Sequence, residues 1–201
     1  GADEILEPFR RRGVVFVHIP RNGGTSIVRT LYGRGITHFT AAFYRAMAPD
    51  FFAATPSFAI LRDPVERFMS SYSFVRAQGG EVARLYPGWA RVYGDTIDDF
   101  DHFLERHARI RASSRRLDYV FRSQAEFVLD GGGRQVVRHL FALDHRPERL
   151  TEFLADFGVH ELPRINRTVR VPVRPSERQI EMIRAFHPAD VTLHERVVAA
   201  A

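Results

Sequence analysis

The sequence predicts a three-layer α/β domain, with a central parallel sheet between helices, from two occurrences of one local pattern followed by a mostly helical remainder. Val14 to Ile19 (VVFVHI) is a short, almost continuous apolar run rich in β-branched residues, as expected of a strand buried on both faces. Pro20 to Thr25 breaks it, and Ser26 to Tyr32 resumes with Ile27, Val28 and Leu31 at helical spacing until Gly33 stops it. The second occurrence is Phe58 to Leu61 (FAIL), followed by Asp63-Pro64, a helix cap and a proline suited to the first helical position. The helix that follows is expected to bury Val65, Phe68, Met69, Tyr72 and Val75 on one face.

Between these units, Ile36 to Thr40 reads as a brief strand and Ala41 to Met47 as one or two helical turns. Thr96 with Asp99 resembles a capping box ahead of Phe100, Phe103 and Leu104. Ser123 to Leu129 reads as a short helix, Asp130 to Gly133 as a turn and Val136 to Leu143 as the next strand. Pro147 opens a helix carrying Leu150, Phe153, Leu154 and Phe157, which Gly158 stops. Residues 164–172 read as a loop, and Ser176 to Phe186 and Ala189 to Val198 as two closing helices. With 201 residues, no repeat and no linker composition, one domain spanning residues 1–201 is expected.

Composition narrows the function classes. The chain has no cysteine, which excludes disulfides and thiolate metal sites. No run reaches the roughly 18 apolar residues that a membrane span needs, and the first residues lack the order of a signal peptide, so a cytoplasmic, bacterial protein is expected. The net charge is +5, and all 29 basic side chains are arginine. That balance favours anionic partners. The arginines are scattered, with adjacent ones only at Arg10 to Arg12 and Arg115 to Arg116, so no nucleic-acid stripe is expected.

HIPRNGGTS, His18 to Ser26, follows a buried strand and opens a helix, an arrangement that turns several unpaired N–H groups toward one point. Gly23 and Gly24 allow close backbone approach to an oxyanion, and Thr25 and Ser26 add hydroxyl donors. Arg21 adds a permanent cation. A Walker A loop is excluded by the spacing and by the absence of lysine. LRDPVERFMSSY, Leu61 to Tyr72, supplies a second candidate: Arg62 at a strand end and Ser70 on the next helix suit another phosphate. Arg62 also has Asp63 and Glu66 as possible ion-pair partners.

Together the two segments resemble the cofactor signatures of carbohydrate-type sulfotransferases, H-I-P-K-T-G-G-T-S and L-R-D-P-V-E-R-F-x-S-x-Y. The resemblance implies a P-loop-like fold and the cofactor 3′-phosphoadenosine 5′-phosphosulfate (PAPS), whose product is adenosine 3′,5′-bisphosphate (PAP). It further implies that Arg21, Asn22, Gly23, Gly24, Thr25 and Ser26 hold the 5′-phosphosulfate and that Arg62 and Ser70 hold the 3′-phosphate. Looser similarity covers RSQAEFV (Arg122 to Val128), where Gln124 receives no role, and INRT (Ile165 to Thr168), which implies that Arg167 and Thr168 close over the 3′-phosphate side. The family carries lysine where this chain has Arg21, so charge is retained at that position but proton donation is lost.

The expected reaction is sulfuryl transfer to a hydroxyl of a glycan or small molecule, with no metal. His38, after the Gly33 to Gly35 turn and near the place of the catalytic histidine in related glycan 2-O-sulfotransferases, is the candidate base; His18 is expected to be structural, its imidazole bonded to the backbone or the loop. Residues 33–55 and 78–96 are expected to build the acceptor cleft, with Tyr86, Trp89 and Tyr93 as either ring platforms or core. The alternatives are a regulatory domain that binds PAPS or PAP without turnover, motivated by Arg21, and a P-loop phosphoryl transferase. Composition does not fix an oligomeric state.

Overall fold

The computed structural model describes residues 1–79, 92–113, 119–163 and 172–200. Among them, three short strands form one parallel sheet in the order β1-β2-β3: β1 is Val15–Val17, β2 is Ser57–Leu61 and β3 is His139–Ala142. Phe16 is in register with Phe58, and Phe58 in turn with His139. All residues of β1 and β2 are buried, whereas β3 is buried only at Ala142. Continuous apolar runs therefore became interior strands, as a parallel sheet covered on both faces requires.

Helices flank the sheet. Before β2 come α1 (Ala2–Arg12), α2 (Gly24–Tyr32), α3 (Ala41–Met47) and α4 (Pro49–Ala54). Between β2 and β3 lie α5 (Pro64–Arg76), α6 (Phe100–Ala112) and α7 (Ala125–Val128), and after β3 come α8 (Pro147–Ala155), α9 (Glu177–Phe186) and α10 (Pro188–Ala199). Asp63 caps α5 by accepting from the N–H groups of Val65 at 2.9 Å and Glu66 at 3.0 Å. Gly13 ends α1 in the left-handed region at φ 68°, donating its N–H to Phe9 O.

Two apolar cores result. One surrounds the sheet, where Phe9 meets Tyr32 and Tyr44 edge-on at 5.3 and 5.1 Å and Phe16 stacks on Phe58 at 4.7 Å. The other joins α5, α6 and α9 through Phe68, Tyr72, Phe103, Phe121 and Phe186. Of the face expected on α5, Phe68, Tyr72 and Val75 are buried, while Val65 and Met69 pack at the edge of the second core. Burial extends beyond that face to Arg67, Ser71, Ser73 and Phe74.

Several local expectations change. Residues 36–40 are not a strand, and β1 and β3 are shorter than their apolar runs, because the end residues leave the ladder to enter loops. Helices α1 and α4 were not anticipated: both are short amphipathic or proline-initiated segments that gain stability by docking Leu6, Phe9 and Phe52. Asp99 caps α6 alone, through His102 N at 3.0 Å. Thr96 instead donates its hydroxyl to Tyr93 O inside a 3₁₀ turn spanning Gly94–Ile97. Tyr93 is 1% exposed in the second core, so of its two expected roles the structure supports the core one.

His107 lies in that core at 0% exposure, with Nδ1 paired to Tyr93 Oη at 3.0 Å. Burial pushes its pKa down to about 3, and burial pushes that of His187 down to about 4. Both values lie below the ordinary histidine range, so on acidification the unfolded chain takes up protons first. The associated stability is complete above about pH 6.5 and is lost as pH falls toward the folded values. Denaturant titrations at about pH 7.5 and about pH 5 should differ by roughly 2 kcal/mol for each of these histidines. His107→Phe should reduce the difference by roughly 2 kcal/mol, and an unchanged slope would show that His107 is not held neutral.

Candidate functional site

Both segments singled out in the sequence lie at the C-terminal ends of β1 and β2, the edge of a parallel sheet where ligands bind. Residues 18–23 leave β1 and enter α2. Arg21 at φ 67° and Gly23 at φ 75° both occupy the left-handed region, which a non-glycine residue such as Arg21 rarely adopts. Gly24 is closed in from behind: a Cβ there would stand 2.5 Å from His18 Cδ2 and 2.9 Å from Phe16 Cζ. Leu143, just past β3, packs against Gly23. The front of the loop stays accessible, with Gly23 exposed and Thr25 and Ser26 partly so.

The charged groups converge on this loop. The Arg21 guanidinium donates to Ser70 Oγ from Nε at 3.3 Å and Nη2 at 3.0 Å, and it lies 4.7 Å over the Phe74 ring. Arg62 donates from Nη1 to Arg21 O at 3.3 Å and pairs through Nη2 with Glu66 Oε2 at 3.3 Å. Arg62 thus makes the ion pair expected with Glu66 and, in addition, a loop contact that was not expected. Burial first, and then the neighbouring Arg62 charge, lowers the Arg21 pKa to about 10, so its guanidinium stays charged at neutral pH.

Asn22 behaves differently from its neighbours. Its side chain is 1% exposed and faces inward, donating from Nδ2 to Ile60 O and to Gln124 Oε1, both at 2.6 Å. Its carboxamide is therefore turned into the protein and away from the front of the loop. Gln124 in turn ties the two segments together: Oε1 also accepts from Arg62 N at 3.0 Å, and Nε2 donates to Arg62 O at 2.9 Å. Asp190, on α10, fixes Gln124 by accepting from the N–H groups of Gln124 and Ala125, each at 2.9 Å, and from the Ser123 hydroxyl.

His38 sits beside the loop. Its Nδ1 is 2.7 Å from His18 O, and because a carbonyl only accepts, Nδ1 carries the hydrogen and Nε2 the lone pair. The ring stacks on Tyr119 at 5.3 Å, and burial, the largest influence, lowers its pKa, which keeps it neutral at pH 7. His18 is structural through packing: its ring backs Gly24, and its Nδ1 has no hydrogen-bond partner among the described residues, unlike the bonded imidazole expected. Arg167, Thr168, Tyr86 and Trp89 lie outside the described residues.

Sequence reasoning missed three contributors: Arg67, the role of Gln124, and Asp190. The signal for Arg67 was present in LRDPVERF, but an arginine one helical turn after a cap reads as surface charge. Comparison with protein-family models, curated proteins and solved structures returned no match.

The packing of Gly24 on two rings generates a test. Gly24→Ala drives a Cβ into His18 and Phe16, so a loss of about 1–3 kcal/mol in denaturant unfolding is expected. Gly33→Ala meets open space at φ 69° and should cost about 1 kcal/mol through backbone strain alone. A Gly24→Ala variant as stable as the wild type would contradict the close approach.

Proposed function

We propose that this chain is a sulfotransferase that moves a sulfuryl group from PAPS to the hydroxyl of a glycan or small molecule, on a P-loop-like variant of the α/β fold. The observation that carries the reading is the meeting of Arg21, Arg62 and Ser70 at one loop, with a neutral histidine at its side. A nucleotide with phosphates at both its 5′ and 3′ positions fits two guanidinium groups and a helix-opening loop better than a monophosphate does.

In this reading the N–H groups of residues 22–26 and the Arg21 guanidinium hold the 5′ side, while Arg62 and Ser70 hold the 3′-phosphate. PAPS supplies an activated sulfuryl group whose leaving group is a phosphate. His38 Nε2 accepts the proton of the acceptor hydroxyl, and the Nδ1–H bond to His18 O steadies the imidazolium so formed. Arg21 offers charge and hydrogen bonds to the departing phosphate without donating a proton. Its existing bond to Ser70 favours a second reading, a domain that binds the nucleotide and does not turn it over.

Calorimetry separates the nucleotide assignment from its rivals. PAP should bind about 10- to 100-fold more tightly than AMP, the equivalent of one charge-assisted contact, and Arg62→Ala should abolish the difference. Equal affinities would overturn the assignment. Incubation with ³⁵S-labelled PAPS and an acceptor panel then distinguishes transferase from binding domain. If label is transferred, the acid limb of the pH–rate profile should lie below the usual histidine range, because the His38 pKa is lowered, and His38→Gln should remove that limb together with most of the rate.

A further inference from the structure

We infer that Arg67 is the positioning residue of the anion loop, a buried guanidinium that aims the loop's N–H groups from behind without touching the ligand. The inference rests on the reading of residues 18–26 as an anion cradle. Arg67 belongs to α5, is 3% exposed, and donates from Nε to Pro20 O at 3.1 Å and from Nη1 to Arg122 O at 2.8 Å.

Three successive loop residues are each held by a side chain from another segment. Pro20 O is held by Arg67, Arg21 O by Arg62, and the Asn22 side chain by Gln124. In a trans peptide the C=O and the following N–H point in opposite directions. Fixing the Pro20 carbonyl on Arg67 therefore turns the Arg21 N–H away from α5, and holding the Arg21 carbonyl on Arg62 turns the Asn22 N–H away from Arg62. The left-handed Arg21 conformation persists because both flanking peptide planes are held.

A second observation points the same way. Among the described residues, the buried side-chain polar atoms without a hydrogen-bond partner are His18 Nδ1, Asn22 Oδ1, Arg67 Nη2 and His107 Nε2. The first three belong to the loop or to the group holding it. A buried cation with an unused N–H is costly, and such groups persist where function requires them. Arg122 O extends the effect, because the same guanidinium joins the loop to the segment that carries Gln124.

The test uses inorganic pyrophosphate, which needs only the loop. In the wild-type protein, NMR titration should shift the amides of residues 21–26 and the Arg67 Nε–H, which should also be protected from exchange. Arg67→Met, if folded, should bind pyrophosphate at least tenfold more weakly, and Arg67→Lys should recover part of that loss. A purely structural arginine would lower the melting temperature and leave the affinity of the folded fraction unchanged. Wild-type affinity in either folded variant overturns the inference. Should both variants fail to fold, a wild-type Arg67 Nε–H that exchanges freely and does not respond to pyrophosphate overturns it as well. Pyrophosphate binding at the loop without PAP binding would sink the nucleotide reading and leave the role of Arg67 standing.

Discussion

The constraint on which the site depends is the direction of two peptide planes. A loop receives an anion only if its carbonyls face elsewhere, and in this chain the carbonyls of Pro20 and Arg21 face guanidinium groups carried by the next strand–helix unit. The two parallel strands bring those segments side by side, with Val15 to Val17 paired to Ser57 to Ala59. The sheet thus sets the site geometry as well as closing the core. Asn22 and Gln124 complete the arrangement by joining the loop to the end of β2 and to α7, and Asp190 anchors α7 from the last helix.

Charge makes this arrangement demanding. Burial and then the Arg62 charge lower the pKa of the partly buried Arg21, and burial lowers that of the fully buried Arg67, with Asp190 opposing and Arg21 and Arg62 adding to the decrease. Against them stand Glu66, whose side chain is 52% exposed and so contributes little, and the buried Asp190. An anion with several charges would relieve the repulsion among these arginines and would also return the favourable interaction of the loop dipoles. On physical grounds the site is therefore suited to ligand-linked stabilisation.

The parts legible in the sequence were those governed by short-range patterns. Continuous apolar runs marked β1 and β2, Asp63-Pro64 marked the start of α5, and Gly33 marked the end of α2 at φ 69°. The turn into α2 was legible because Gly23 follows a strand and precedes a helical pattern, whereas the left-handed Arg21 was not. Asn22 was misplaced, since a polar side chain on an anion loop reads as a ligand contact, and only the proximity of Ile60 and Gln124 reveals it as an internal strut. Asp190 could not be found by spacing at all, because its partners are more than sixty residues away in the chain. Residues 36–40 misled for the opposite reason: their apolar pattern serves to pack Ile36 and Phe39 on the core and not to extend a ladder.

The absence of lysine has a physical consequence at this edge. Burial lowers the pKa of Arg21 and of Arg67 from the ordinary arginine value to about 10, which leaves both charged at every physiological pH. A lysine depressed by a similar amount would titrate at about 8 and would be partly neutral in the free protein. Arginine therefore keeps this edge fully charged at neutral pH, and its planar fork lets Arg67 hold two carbonyls at once. The same property removes acid catalysis from Arg21. In the proposed transfer, Arg21 would therefore assist a departing phosphate by charge and hydrogen bonding alone.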